Sequence, residues 1–192
     1  DMSEEIDRLT RLINRLLTLS RLDAGASLNM SEVDITMMTV GVIRSLKQLA
    51  AEKNISIDYD VKSAKDKNAV VDYDKIYEAL YNIIDNAIKY TPDGGVVKIK
   101  IGTENDFCVI SVEDNGPGIP DAEKQKVFDR FYRLDDSRAR DTGGTGLGLA
   151  IAREAVILHG GDIEILDAPE GGSIFKIKIP FGHNEKWTET DA

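Results

Sequence analysis

The run Glu78-Ala-Leu-Tyr-Asn82-Ile-Ile-Asp-Asn86-Ala-Ile-Lys89-Tyr90 decides how the rest of the chain is read. Wound as a helix at ~100° per residue, it separates into two faces. Ala79, Leu80, Ile83, Ile84 and Ala87 form an apolar arc, the pattern of a helix lying on a core. Asn82, Asn86 and Lys89 follow at i, i+4 and i+7 on the other side, with Glu78 one turn earlier. An ordinary solvated face would account for them, but asparagine is a poor helix-interior residue that prefers caps and turns. The alternative is a row of amide oxygens and one ammonium turned into a cavity.

Working outward, residues 1–25 repeat apolar positions at Ile6, Leu9, Ile13 and Leu16, the spacing of a coiled-coil or helical-hairpin seam. Leucines at 12, 17, 19 and 22 widen the stripe, and Gly25 is a plausible C-cap. So short a helix is marginal alone. It needs either a partner helix or the domain itself to pack on. Leu28 to Val33 suits a short edge strand, and Asp34 is an N-cap for a helix to about Lys53. Ile55 to Val61 alternates as a half-buried strand, residues 62–68 are a charged loop, and Ala69 to Asp72 is a short strand before the central helix. Beyond it come two strands joined near Glu104 to Asp106, a short helix over 121–128 and a helix from Leu147 to His159. A last hairpin alternates Phe175, Ile177 and Ile179 with lysines. Lys98, Lys100, Lys176 and Lys178 predict one wet sheet face. The fold class is therefore α+β, a two-layer sandwich whose mostly antiparallel sheet is covered on one face by about three helices, preceded by an N-terminal helix.

A chain of 192 residues supports one substantial core and a small appendage. No apolar run approaches the ~20 residues that cross a bilayer, and no signal peptide opens the chain. A net charge of −10 argues against nucleic acid or anionic lipid as partners. A bound anion would have to be held locally, by backbone amides or a few placed cations. Cys108 is alone, so there is no intrachain disulfide, and its strand-like setting reads as a small buried apolar residue. His159 and His183 cannot make a zinc site by themselves. A reducing, cytosolic setting fits all of this.

Two glycine-rich segments complete the pattern. Asp114-Asn-Gly116-Pro-Gly118-Ile-Pro120 follows an apolar strand: either a plain turn, or a rigidly held carboxylate beside backbone that another molecule can approach closely. Gly143-Gly-Thr-Gly146-Leu-Gly148-Leu precedes a helix, whose free N–H groups suit phosphate. It is neither the G-x-G-x-x-G dinucleotide fingerprint nor a G-x-x-x-x-G-K-[ST] phosphate loop, and a long loop rather than a strand leads into it. Residues 129–145 are polar, glycine-containing and aperiodic, long enough for a functional lid.

With these segments in place the chain resembles the sensor histidine kinases. Asn82-x-x-x-Asn86-Ala-x-Lys89-Tyr90 is similar to their N box, Asp114-Asn-Gly-Pro-Gly118-Ile-Pro to the G1 box, Phe128-Asp-Arg-Phe131-Tyr-Arg133 to the F box, and Gly144-Thr-Gly-Leu-Gly148-Leu to the G2 box. The likeness spans residues 28–181 and implies a Bergerat-type ATP-binding fold, shared in outline with gyrase, Hsp90 and MutL ATPases. It implies domains at 1–26 (the end of a dimerisation and phosphotransfer hairpin), 28–182 (ATP binding) and 183–192 (a mobile tail). By the same resemblance Asp114 accepts the adenine amine, with Ser173 helping through water and Ile119 against the ring. Asn86 offers its oxygen to Mg²⁺. Lys89, Tyr90 and Arg133 lie along the phosphates of ATP or ADP, Gly144, Gly146 and Gly148 cradle phosphate, and Asn82, Gly116, Gly118, Tyr132, Thr145 and Leu147 complete the nucleotide-binding set. The catalytic set is Asn82, Asn86, Lys89 and Arg133. Hydrolysing relatives carry a glutamate where Asn82 stands; an amide cannot act as that base, which implies ATP held for transfer rather than rapid hydrolysis. Neither histidine has the family's phosphoacceptor context. The implied partners are therefore a histidine-bearing hairpin outside this sequence and a response regulator receiver domain. The full-length protein would be a membrane-anchored homodimer with this part cytoplasmic, and the fragment itself monomeric. A clamp-type ATPase and a nucleotide-dependent binding switch are the alternatives.

Overall fold

Capping aspartates start two of the three helices that cover the sheet. Asp34 accepts a hydrogen bond from the Met37 N–H at 2.9 Å and opens α2 (Ile35–Glu52), and Asp72 accepts from the Lys75 N–H at 3.2 Å to open α3 (Tyr73–Tyr90). The computed structural model describes residues 2–23, 27–60, 68–134 and 145–182. Over these the chain runs α1 (Met2–Asp23), β1 (Met30–Asp34), α2, β2 (Ser56–Asp60), β3 (Asn68–Asp72), α3, β4 (Val96–Glu104), β5 (Phe107–Asp114), a 3-10 turn (Lys126–Phe128), α4 (Gly148–Leu158), β6 (Asp162–Asp167) and β7 (Ser173–Pro180).

The main sheet has the order β2-β4-β5-β7-β6. Only β2 and β4 run parallel; the other neighbours are antiparallel. β1 and β3 leave this sheet and pair with each other as a two-stranded ribbon, a pairing that strand periodicity alone does not specify. Val97, Ile99, Ile101, Ile110, Val112, Phe175, Ile177 and Ile179 point into one core, which α2, α3 and α4 close from above. Lysines 98, 100, 176 and 178 alternate onto the other face, where Lys176 pairs with Glu104 at 2.7 Å. Cys108 is buried as expected, and burial pushes its thiol up to about 11.

The apolar arc of α3 is sealed completely: Leu80, Ile83, Ile84 and Ile88 have no exposed surface. Each contributes roughly 1.5–3 kcal/mol of burial. Lys53 closes the carbonyl end of α3 by donating to the Ile88, Lys89 and Thr91 oxygens at 3.0, 2.9 and 2.6 Å. The position of Lys89 and Tyr90 is thereby fixed from behind.

One expectation changes, and one open alternative divides. The helix predicted over 121–128 is a run of turns ending in a 3-10 turn. Lys124 is pinned by Asp121 and Asp167 at 2.6 and 2.8 Å, and the Phe128 ring lies edge-on to Phe175 beneath the Arg153 guanidinium; these anchors override helix propensity. α1 splits its stripe: Leu19 and Leu22 are buried against Leu147, Ala150 and Ile151, while Ile6, Leu9, Ile13, Leu16 and Leu17 stay exposed. Gly25, most of the charged loop at 62–68, lid residues 135–144 and the tail 183–192 lie outside the described residues. No helix among the described residues is long and apolar enough to cross a membrane.

Candidate functional site

The polar side of α3 is the floor of a cavity of about 390 Å³. Asn82 and Asp85 are buried and Asn86 half-buried, and all three line it. Neither asparagine side-chain amide bonds a described residue, so both offer their oxygens and N–H groups to the cavity. One end of the floor abuts the start of α4: a Cβ on Gly148 would stand 3.0 Å from Asn82 Oδ1. The other end abuts the loop after β5, where a Cβ on Gly116 would stand 2.8 Å from the Tyr90 carbonyl oxygen. Eight residues of α3 separate these ends, about 12 Å at 1.5 Å per residue.

Asp114 is set at the second end by its place as the last residue of β5. Its Oδ1 accepts from the Gly116 N–H at 2.9 Å and the Ser173 N–H at 3.4 Å, while Oδ2 takes no bond from a described residue. Burial raises the carboxyl above the usual carboxylate range, and the two N–H bonds pull only partly the other way. Gly172, at φ +99°, lets β7 start against this strand end: a Cβ there would come within 2.0 Å of the Asp114 carbonyl oxygen. Gly118, Ile119 and Ser173 also line the cavity.

At the α4 end, Thr145 Oγ1 accepts a 2.8 Å hydrogen bond from Arg15 Nη1, which α1 brings to the cavity wall. Gly146, at φ +68°, receives the Phe131 N–H at 2.9 Å and has no room for a side chain, since a Cβ would lie 2.8 Å from Phe131 C. Tyr132 and Arg133 line the wall between, with the Tyr132 hydroxyl donating to Glu123.

The structure therefore gathers Asn82, Asn86, Lys89, Tyr90, Asp114, Gly118, Ile119, Tyr132, Arg133, Thr145, Gly146, Gly148 and Ser173 around one cavity. Lys89 is there as half of an ion pair, 2.6 Å from Asp85, rather than as a lone ammonium. Gly116 faces an adjoining recess with Lys53, Thr91 and Asn115. The Leu147 side chain turns away entirely, into the α1–α4 contact, and Gly144 lies outside the described residues. Sequence reasoning passed over two polar lining residues, Asp85 and Arg15. The i, i+4 spacing of Asp85 and Lys89 could have found the first; nothing local marks the second. Among the described residues no three His, Cys, Asp or Glu side chains cluster as a metal site. A hard cation here would rest on amide oxygens plus oxygens of the ligand itself, an arrangement that Mg²⁺ tolerates.

Residues 71–183 match the family described as histidine kinase-, DNA gyrase B-, and HSP90-like ATPase. Sensor histidine kinase WalK of Bacillus subtilis (strain 168) is 40% identical over 191 residues, covering 96% of this chain and 31% of WalK. Full-length ShkA, solved with AMPPNP, superposes with a TM-score of 0.80 at 29% identity over 93% of this chain and 37% of its own. Histidine kinase ThkA, solved in complex with the response regulator TrrA, superposes with a TM-score of 0.76 at 25% identity over 93% of this chain and 49% of that one. The chain thus spans about a third of the length of the curated relative.

Proposed function

The chain belongs to the histidine kinase-, DNA gyrase B-, and HSP90-like ATPase family, and we propose that it is the catalytic ATP-binding domain of a sensor histidine kinase. The observation that carries this reading is one cavity holding Asn82 and Asn86 on its floor and a buried, half-satisfied Asp114 at one end. Asp114 Oδ2 accepts the adenine exocyclic amine, and Ile119 and Gly118 cover the ring. The sugar and phosphates then lie along α3 towards Thr145, Gly146 and the first N–H groups of α4. Arg133 and Lys89 flank that path, and Asn86 gives an oxygen to Mg²⁺, which when bound neutralises phosphate charge.

Presentation outweighs hydrolysis in this arrangement. Asn82 cannot take a proton from water, and the two lining carboxylates are committed elsewhere: Asp85 to Lys89, Asp114 to the adenine end. The protein positions the γ-phosphoryl for an external nucleophile, a histidine on a helical hairpin supplied outside this sequence. α1 is the end of that hairpin's second helix, and its exposed Ile6, Leu9 and Ile13 support a homodimer in the full-length, membrane-anchored protein, with this part cytoplasmic. A response regulator receiver domain takes the phosphoryl group onward.

The test is transfer in trans. Incubated with Mg-ATP and a histidine-bearing kinase hairpin, the chain should phosphorylate the hairpin while barely turning over ATP alone. Steady multiple-turnover hydrolysis without the hairpin would favour a clamp-type ATPase. Tight ATP binding with no transfer to any matched hairpin would favour a binding switch.

A further inference from the structure

One cation at the pocket has no part in the reading above. Arg15 belongs to α1, outside the residues of the family match, yet its side chain lines the same cavity as Asn82 and Asn86. A guanidinium carries five N–H donors. One is spent on Thr145 Oγ1 at 2.8 Å, and no ion pair joins Arg15 to a described carboxylate. Lys89, by contrast, is neutralised locally by Asp85 at 2.6 Å. The Arg15 charge also reaches α3, where with that of Lys75 it acts on the Glu78 carboxyl against the effect of burial. Its bond to Thr145 lies at the end of the cavity defined by Gly148 and Asn82, the farther one from Asp114. In a chain of net charge −10, a placed cation at that end would add to the backbone N–H groups in holding an anion.

The segment that delivers Arg15 is held by a small separate cluster. Leu19 and Leu22, one and two turns further along α1, pack on Leu147, Ala150 and Ile151, and Leu147 immediately precedes Gly148. Seating these leucines and placing the guanidinium beside Thr145 are therefore one event.

Building on the ATP-binding reading, we propose that Arg15 is a phosphate-positioning residue supplied by α1, so that docking of α1 on α4 and occupancy of the phosphate end strengthen each other. Linkage makes the coupling reciprocal: whatever affinity docked α1 adds to the nucleotide, the nucleotide adds to docking. A helix that ends a dimerisation hairpin would then report through Arg15 whether the pocket holds a triphosphate.

The test titrates the full chain with a non-hydrolysable ATP analogue, ADP and adenosine, each with Mg²⁺. Arg15→Gln should weaken the ATP analogue about tenfold, ADP less and adenosine not at all, and Arg15→Lys should recover part of the loss. Hydrogen exchange should show α1 protected by the ATP analogue in the unaltered chain and not in Arg15→Gln. Leu22→Ala combined with Arg15→Gln should cost less than the sum of the two. Equal losses for all three ligands, no loss, or α1 protection that survives Arg15→Gln would overturn the proposal. If the unaltered chain binds none of the ligands, the ATP-binding reading fails and this inference with it; a flat phosphate response in a chain that does bind removes the inference alone.

Discussion

α3 and α1 are both amphipathic helices and both send polar side chains into the same cavity, but they are held on different terms. Nine residues of α3 are buried, Asn82 and Asp85 among them, so its pocket face is fixed by the main core behind it. α1 buries Leu19 and Leu22 in a satellite cluster and leaves Ile6, Ile13 and Leu17 at least half exposed. The pocket thus has a floor anchored in the main core and a wall held by a small separate cluster. On the proposed function, the nucleotide's base and metal are met by the floor and the strand end at Asp114, and the proposed coupling to α1 is met by the wall.

The largest effects should separate the two helices by stability. Ile84→Ala opens a cavity in the main core and should lower global stability by about 2–5 kcal/mol in a urea titration. Leu22→Ala removes as many atoms, yet its cost should be capped by release of α1: the global transition should move by no more than about 1 kcal/mol while amide exchange in α1 accelerates. Equal losses from both would make α1 part of the core and dissolve the contrast.

Next comes the floor's own chemistry. Asn86→Ala should reduce Mg²⁺-dependent affinity for an ATP analogue by about tenfold and leave the urea midpoint nearly unchanged, since Asn86 is half-exposed and bonds no described residue. A loss of stability without a loss of Mg²⁺ dependence would reduce it to an ordinary polar face.

The smallest effect probes the joint between α3 and α4. His159, buried at the end of α4, accepts the Asp72 N–H on Nε2 at 2.9 Å and donates from Nδ1 to the Ala155 carbonyl at 2.6 Å, so it is held neutral. Burial lowers its pKa below 6.5, with the Ala155 bond and the Asp72 charge pulling weakly upward. A depressed folded pKa means that the stabilisation is complete above the unfolded value and is lost as pH falls through the folded one. The share of stability that His159 supplies should therefore decline from pH 7 towards pH 5, at no more than ~1.4 kcal/mol per pH unit for one proton, against the opposite slope of the raised Asp114 and Glu78 carboxyls. His159→Gln should flatten that slope while leaving α1 exchange alone.

The faces of α3 were legible because a helix with one sealed side imposes a 3.6-residue period on its apolar residues, and the two-layer fold followed from lysines alternating along β4 and β7. Capping by Asp34 is likewise a local rule, one that Asp72 at the start of α3 also obeys. What stayed hidden depends on contacts distant in sequence. Residues 121–128 have helical composition, but Asp167 and Phe175 bend them into turns. Leu147 sits inside a phosphate-type motif, yet its side chain answers to α1. Arg15 carries no periodic or motif signal; only the packing of α1 on α4 takes it 130 residues along the chain to Thr145.

The central claim is that the cavity over α3 receives an adenine nucleotide with its base at Asp114. Calorimetric titration of the chain and of Asp114→Ala with ATP and GTP analogues in Mg²⁺ tests it directly. The unaltered chain should prefer the adenine nucleotide by about tenfold or more, and Asp114→Ala should abolish that preference. Equal binding of both bases by the unaltered chain, or a preference that survives the substitution, would contradict it.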